Sequence, residues 1–72
     1  MKNLTPREQE TLEFITDFSV SNHYSPTIRE IAIGINTNSL THVTYILYKL
    51  NNLGYINYRH RKHRTITLNN LH

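Results

Sequence analysis

The sequence predicts an α+β fold that is mainly α, with three helices followed by a two-stranded β-hairpin. Two segments in the N-terminal half have the residue spacing of a capping box, which marks the start of a helix. After Gly54 the spacing of apolar residues changes from about 3.6 to about 2, as expected where helices give way to strands. Because 72 residues can bury only one small core, worth ~3–5 kcal/mol, we expect a single domain over residues 1–72.

Helix 1 is predicted to span about residues 6–21. Thr5 is a suitable N-cap, Pro6 fits the first helical position because it has no amide to satisfy, and Glu8 completes the capping box. The inward stripe is predicted to consist of Leu12, Phe14, Ile15 and Phe18. The acidic residues on the other side receive no catalytic role, because neither a glycine-rich pocket loop nor a partner nucleophile accompanies them.

Helix 2 is predicted to be short, spanning about residues 28–34. Thr27 and Glu30 repeat the capping-box spacing at its start. Its buried side is predicted to consist of Ile28, Ile31, Ala32 and Ile35. Residues 34–38 are rich in glycine, asparagine and threonine, so they are expected to form a tight turn before the next helix.

Helix 3, predicted over about residues 40–53, has two unlike faces. Ser39 is a suitable N-cap, and Gly54 lies where a left-handed residue would end the helix. The apolar face is predicted to consist of Val43, Ile46, Leu47, Leu50 and Leu53, and the opposite face of Thr41, Thr44, Tyr45, Tyr48 and Asn52. A short helix, a tight turn and a longer helix with a polar outer face make a helix-turn-helix, whose second helix can lie in the major groove of DNA.

The last predicted element is a hairpin over about residues 55–68. Residues 55–59 and 64–68 alternate in polarity and are rich in β-branched or aromatic side chains, so each is predicted to form a strand. Residues 60–63 between them would form an exposed basic tip. The side chains expected to face the helices are Ile56, Tyr58, Ile66 and Leu68. A hairpin in this position is a wing, and the predicted fold is therefore a winged helix-turn-helix.

The net charge of +3 is unevenly distributed along the chain. Residues 1–30 contain three basic and five acidic residues, which gives −2, whereas residues 31–72 contain five basic residues and no acid, which gives +5. Basic charge concentrated around the polar-faced helix and the hairpin favours a nucleic-acid partner, because phosphate is attracted and no carboxylate repels it. We therefore expect double-stranded DNA as the partner.

Other features of the sequence exclude several alternatives. The chain has no cysteine, so disulfides and thiolate metal sites are impossible. No apolar run approaches the length of a membrane span, and residues 1–6 lack the hydrophobic core of a signal peptide. We therefore expect a cytoplasmic protein with no membrane, small-molecule substrate or cofactor, and with no metal.

Helix 3 and the wing supply the residues predicted to contact DNA. The base-reading residues are predicted to be Thr41, His42, Thr44 and Tyr45. The residues predicted to contact the DNA backbone are Ser39, Tyr48, Lys49, Arg59, Arg61, Lys62 and Arg64. The alternatives are that helix 3 is a surface helix that merely lacks charge, and that Tyr48 is a packing residue.

A metal site at the tip of the wing is a weaker alternative. His60 and His63 flank two cationic residues, and zinc needs three or four converging ligands. The two histidines are instead expected to add positive charge to the wing as the pH falls.

Four segments of the chain resemble the DNA-binding domain of LexA repressors over about residues 2–68. They are Leu4-Thr5-Pro6-Arg7-Glu8-Gln9-Glu10, Ser25-Pro26-Thr27-Ile28-Arg29-Glu30-Ile31-Ala32, Leu47-Tyr48-Lys49-Leu50 and Leu53-Gly54-Tyr55-Ile56. The resemblance implies a winged helix-turn-helix whose third helix reads operator bases and whose wing lies on the DNA backbone. Among the reading positions only Ser39 matches the family pattern. Thr41, Thr44 and Tyr45 stand where LexA has an asparagine and two glutamates, so the SOS operator is not carried over.

LexA repressors continue through a cleavable linker into a self-cleaving, dimerising domain, whereas this sequence ends at His72. We therefore expect a small stand-alone repressor, bacterial or phage-encoded, of the kind that mobile elements often encode, and not an enzyme. It is expected to be monomeric in solution and to pair on DNA half-sites. The alternatives are a fragment of a longer protein, a mobile-element protein that inhibits a host protein, and the DNA-binding part of a replication initiator. The basic, acid-free C-terminal part favours DNA over a protein partner.

Overall fold

The structure, a computed structural model, describes residues 4–58 and 66–68. It contains three helices and one pair of antiparallel strands, which confirms the predicted mainly α, α+β class. The elements are α1 (Pro6–Asn22), α2 (Ile28–Gly34), α3 (Leu40–Asn52), β1 (Ile56–Asn57) and β2 (Thr67–Leu68). Within the described residues no helix is both long and apolar enough to cross a membrane.

Both predicted capping boxes are present, and they fix the starts of α1 and α2. At α1 the Thr5 hydroxyl accepts the Glu8 amide hydrogen at 3.1 Å, and the Glu8 carboxylate accepts the Thr5 amide hydrogen at 3.0 Å. At α2 the same pair of bonds joins Thr27 and Glu30, at 3.2 and 2.8 Å. Each box satisfies two amides that would otherwise have no partner within the helix.

The C-terminus of α3 is a Schellman motif that leads directly into the hairpin. Gly54 has φ 90°, in the left-handed region, as the sequence predicts. Its amide donates to the Asn51 carbonyl at 3.1 Å, and the Tyr55 amide donates to the Leu50 carbonyl at 3.0 Å. The prediction that Tyr55 belongs to a strand is therefore wrong, because its amide is already bonded to the helix.

The C-terminus of α2 has the same arrangement with asparagine in the left-handed position. Asn36 has φ 61°, and its amide donates to the Ile33 carbonyl at 3.2 Å. The Thr37 amide donates to the Ala32 carbonyl at 2.9 Å. These bonds end α2 and set the direction in which the turn leaves it.

Replacing Asn36 with alanine is expected to destabilise the turn. A side chain with a Cβ costs about 1–2 kcal/mol in the left-handed region, and asparagine is better suited to it than alanine. Asn36→Ala should therefore lower the free energy of unfolding by about 1 kcal/mol, whereas Asn36→Gly should keep it at or above the wild-type value. Urea unfolding measures both. Asn38→Ala is the matched control, since Asn38 is exposed in the same turn without a positive φ; equal losses at Asn36 and Asn38 would contradict the assignment.

The core lies where the three helices meet, and the hairpin covers one end of it. Its fully buried members are Ile15, Ile31, Ala32, Ile35, Val43, Ile46, Leu47, Leu50, Ile56 and Ile66. Other predicted core residues are only half-buried, namely Leu12, Phe14, Phe18, Ile28 and Leu53. Two buried polar residues of α1, Glu8 and Thr11, were not expected from the sequence. The Thr11 hydroxyl donates to the Arg7 carbonyl at 2.8 Å.

Two contacts hold α1 against the C-terminal end of α2. The ring of Phe14 lies over Gly34, where a Cβ would come within 2.2 Å of a ring carbon. The guanidinium of Arg7 donates a hydrogen bond to the Ile35 carbonyl. Because that carbonyl lies at the end of α2, the bond satisfies a group with no partner inside the helix.

Within residues 56–58 and 66–68, which the structure describes, the hairpin pairs two residues of each strand. Ile56 pairs with Leu68, and Asn57 pairs with Thr67. The four side chains predicted to face the helices do so to different degrees: Ile56 and Ile66 are buried, while Tyr58 and Leu68 are half-buried. The predicted basic tip lies outside the described residues.

Candidate nucleic-acid interface

The N-terminal half of α3 presents an open polar surface. Ser39 is its N-cap, as predicted, and its hydroxyl accepts the His42 amide hydrogen at 3.1 Å. Thr41, His42 and Tyr45 are exposed, and the first turn contains no acidic residue. The partial positive charge of a helix N-terminus therefore remains uncompensated here, which favours a negatively charged partner.

Tyr45 is the more exposed of the two tyrosines of α3. It is 62% exposed, whereas Tyr48, about one turn later, is 44% exposed and contacts the ring of Tyr58. An exposed phenol offers a ring face and a hydroxyl that donates or accepts, a combination suited to base edges and thymine methyl groups. Tyr45 therefore has the geometry expected of a base-reading residue.

One edge of the α3 polar face packs against Tyr58, which follows β1. The Tyr58 amide donates to Asn51 Oδ1 at 3.1 Å, and its ring makes an edge-to-face contact with that of Tyr48, with the centroids 5.5 Å apart. Its hydroxyl shares a hydrogen bond with Thr44. Thr44, Tyr48 and Asn51 follow one another at helical i, i+4 and i+7 spacing, so a single wing residue contacts three successive turns of α3.

This contact was missed in the sequence, where Thr44 and Tyr48 were both assigned to the open face. In the structure the ring of Tyr48 packs against that of Tyr58. Its predicted contact with the DNA backbone stays a prediction. The only available signal was the helical spacing of three polar residues opposite a tyrosine in the wing. That signal does not reveal which side of α3 the wing covers.

The pKa of Tyr58 lies above its usual value. Burial raises this pKa and the neighbouring Tyr48 raises it further, while the hydrogen bond with Thr44 acts in the opposite direction. Tyr58 is therefore protonated at physiological pH. A neutral phenol beside the predicted DNA surface does not repel phosphate.

Lys49, predicted to contact the DNA backbone, has an acidic partner within the protein. Its ammonium lies 3.6 Å from Oε2 of Glu8, the buried carboxylate of the α1 capping box. The other carboxylate oxygen, Glu8 Oε1, accepts the Thr5 amide hydrogen. One oxygen of Glu8 therefore caps α1, and the other binds a residue of α3. The ion pair thus ties the start of α1 to the last turn of α3.

An exposed apolar side chain lies beside the helix-turn-helix turn and was not predicted. Ile33 of α2 is 79% exposed. It borders a shallow groove together with Ala32, Asn36, Thr37 and Asn38. At 100° per residue Ile33 lies off the buried stripe of Ile31, Ala32 and Ile35, which accounts for its exposure.

The structure does not bring all the predicted contact residues together. The predicted contact residues that are exposed at the start of α3 are Ser39, Thr41, His42 and Tyr45. In contrast, Thr44, Tyr48 and Lys49 each contact another element. The four basic residues of the wing, Arg59, Arg61, Lys62 and Arg64, lie outside the described residues, as do His60 and His63.

A short helix, a tight turn, a longer polar-faced helix and a β-hairpin packed at its end are the parts of a winged helix-turn-helix DNA-binding domain. Comparison with known proteins agrees. The family model described as the LexA DNA binding domain matches residues 1–65, so the chain belongs to the LexA DNA-binding domain family. It is thus a DNA-binding domain, and its family is not one of enzyme domains.

The chain is also similar to LexA repressor 1 of Geobacter sulfurreducens. The two are 56% identical over 32 residues, which make up 44% of this chain. The matched segment covers 16% of the length of that repressor. The resemblance predicted from the sequence is confirmed at the level of the DNA-binding domain.

Proposed function

We propose that this chain is a sequence-specific, double-stranded DNA-binding repressor of a small LexA-like type. The observation that carries the proposal is the exposed, acid-free surface formed by Thr41, His42 and Tyr45 at the start of α3. In helix-turn-helix proteins the first turns of the second helix contact base edges in the major groove. These three side chains, with Thr44 beside them, are the base-reading residues of the proposal.

The capping residue and the residues near it would set the position of α3 on the duplex. Ser39 already accepts an amide hydrogen with its oxygen, and its own hydroxyl hydrogen can be donated to a phosphate. Tyr48 and Lys49 are proposed as further backbone contacts from later turns. Such contacts fix the register of the helix but carry no direct sequence information.

The wing is proposed to contact phosphates through Arg59, Arg61, Lys62 and Arg64. Four basic side chains within six residues are more than one phosphate can engage. Replacing Arg61 and Lys62 together with alanine should lower the salt dependence of binding, reducing the slope of log K against log salt by about 1–2 at roughly 0.9 per phosphate contact. Binding constants for selected DNA and for random DNA, measured at a series of salt concentrations, give the slope for each.

Equal weakening on the two DNAs is the expected pattern, because phosphate contacts do not depend on sequence. An unchanged slope with an altered consensus would show that the wing reads the minor groove or DNA shape instead.

Selection of bound sequences from a random DNA pool tests the proposal as a whole. A sequence-specific regulator should enrich a consensus, and the symmetry of the consensus should show whether one copy or two bind. We expect a monomer in solution that pairs on half-sites, because a single module buries only roughly 600–1,000 Å² on DNA. Failure to enrich any sequence would contradict the proposal and favour a scaffold that binds a protein partner.

The location follows from the proposed role. A DNA-binding regulator must act where the chromosome or an invading element is accessible, so the proposal places the chain in the bacterial cytoplasm or nucleoid. Repression is part of the proposal, and the LexA family membership supports it.

A further inference from the structure

The outward side of α2 combines a basic residue with an exposed apolar one. Arg29 and Ile33 lie four positions apart in α2, so their side chains are neighbours on the surface of the helix. Both residues are exposed, whereas Ile31 and Ala32 of the same helix are buried. We call Arg29 and Ile33 together the α2 outer face.

The charge of Arg29 is not used within the part of the protein that the structure describes. Three basic residues are described there, and two of them have an acidic partner. Arg7 pairs with Glu10 at 3.2 Å. Lys49 pairs with Glu8 at 3.6 Å. Among the same described residues no acidic side chain forms an ion pair with Arg29, so its guanidinium can bind a negatively charged partner.

A groove connects the α2 outer face with the start of α3. Ile33, which is 79% exposed, borders this groove together with three residues of the turn, Asn36, Thr37 and Asn38. The Thr37 hydroxyl accepts the amide hydrogen of Ser39, the N-cap of α3, at 3.2 Å. The groove therefore ends where the proposed base-reading surface begins.

DNA is the partner that this position and this chemistry favour. In helix-turn-helix proteins the first helix of the motif crosses the DNA backbone while the second helix lies in the major groove, and α2 is the first helix here. A guanidinium suits a phosphate, because its N–H groups can bond two phosphate oxygens at once. An aliphatic side chain beside it can cover the apolar part of the deoxyribose to which that phosphate is joined.

We propose that the α2 outer face is a second contact with DNA, in which Arg29 binds a backbone phosphate and Ile33 packs against the adjoining deoxyribose. The inference rests on the proposed function and adds contacts that neither α3 nor the wing supplies. It gives the exposed isoleucine a surface that covers it when DNA binds. Because both contacts are to the backbone, they strengthen binding to any sequence and hold α2 on one strand while α3 reads bases.

Single methylphosphonate substitutions along the selected site are the direct probe of Arg29, because each removes the charge of one phosphate. At one phosphate the substitution should weaken binding by wild-type protein but not by Arg29→Ala. Arg29→Ala should also reduce the slope of log K against log salt by about 0.9, on selected and on random DNA alike. Arg29→Lys keeps the charge, so it should keep the slope.

Ile33→Ala tests the apolar contact. It should weaken binding to both DNAs by about fourfold or more, the worth of at least one buried methylene group, without changing the salt slope. The protein should stay folded, because alanine is the better helix former and the side chain is exposed. Urea unfolding checks this. Val20→Ala is the matched control, since Val20 is an exposed aliphatic residue of α1, and it should leave DNA binding unchanged.

A pair of glutamate variants tests the position of the contact. Ile33→Glu places a carboxylate beside the proposed phosphate, so it should weaken binding more than Ile33→Ala does. Val20→Glu makes the same change in net charge at the other site. It should weaken binding less than Ile33→Glu, because salt screens charges that lie far from the DNA.

The results separate the inference from the function on which it rests. Selection that enriches no sequence would overturn the proposed function. If a consensus is enriched, an Arg29→Ala protein with the wild-type salt slope and the same sensitive phosphates would overturn the phosphate contact alone. Wild-type affinity of Ile33→Ala, or equal losses for Ile33→Glu and Val20→Glu, would overturn the contact between Ile33 and deoxyribose.

Discussion

Tyr45→Ala is expected to cost about 1–3 kcal/mol of binding free energy on the selected DNA sequence and to change sequence preference. Tyr45 is 62% exposed in the first turns of α3, which in this fold enter the major groove. Its ring and hydroxyl are lost together, while no core contact is removed. The free energy of unfolding should therefore change by no more than about 0.5 kcal/mol. Titrations of selected and random DNA measure the first effect, and urea unfolding measures the second.

Two further variants define what Tyr45 does. Tyr45→Phe keeps the ring, so a loss shared with Tyr45→Ala would assign the contact to the hydroxyl. Asn52→Ala is the matched control, because Asn52 is exposed at the other end of α3, away from the first turns. It should leave sequence preference unchanged. If Tyr45→Ala weakened selected and random DNA equally, Tyr45 would be a backbone contact and not a reader.

Gly34→Ala is expected to lower the free energy of unfolding by about 1–3 kcal/mol, the usual cost of adding a methyl group to a filled site. The new Cβ would lie 2.2 to 2.6 Å from three ring carbons of Phe14. That ring also packs against Phe18, with the centroids 5.8 Å apart, so it has limited room to move. In a domain of this size the loss is a large share of the total stability.

A double-mutant cycle tests the cause of the loss. Phe14→Leu shortens the side chain that faces Gly34, so alanine at position 34 should cost less in that background. The coupling between the two substitutions should exceed about 0.5 kcal/mol in urea unfolding. Additive effects would show that the cost of Gly34→Ala comes from the backbone at position 34 and not from a clash with the Phe14 ring. Gly54→Ala is a useful comparison, because its cost should come from φ 90° and should not couple to Phe14.

Features that depend on neighbours in the sequence were predictable. The Thr5 and Thr27 capping boxes, the Ser39 cap and the left-handed Gly54 all bond residues at most a few positions away. The apolar period of α3 correctly predicted Val43 and three further buried residues, namely Ile46, Leu47 and Leu50. Local hydrogen bonding and helical periodicity are sufficient for such predictions.

Contacts between elements were not predictable, because they depend on how the helices cross. The fit of Phe14 over Gly34 brings together residues that are 20 positions apart in the sequence. Tyr58 reaches Thr44 only because a Schellman motif turns the chain back along α3. These distances follow from packing angles that the sequence pattern does not specify. The division of the α3 polar face into an open part and a part covered by the wing therefore became visible only in the structure.

The ion pair between Glu8 and Lys49 affects how any alanine scan of the DNA-facing surface must be interpreted. Removing the lysine ammonium would leave the Glu8 carboxylate buried without its charged partner, and the remaining carboxylate would lose its favourable interaction with α3. A weaker complex with DNA would then combine a lost phosphate contact with a shifted recognition helix. Lys49→Ala in a Glu8→Gln background separates the two, because the buried charge is already absent there. Only the loss of DNA affinity that persists in that background reports a contact between Lys49 and a DNA phosphate.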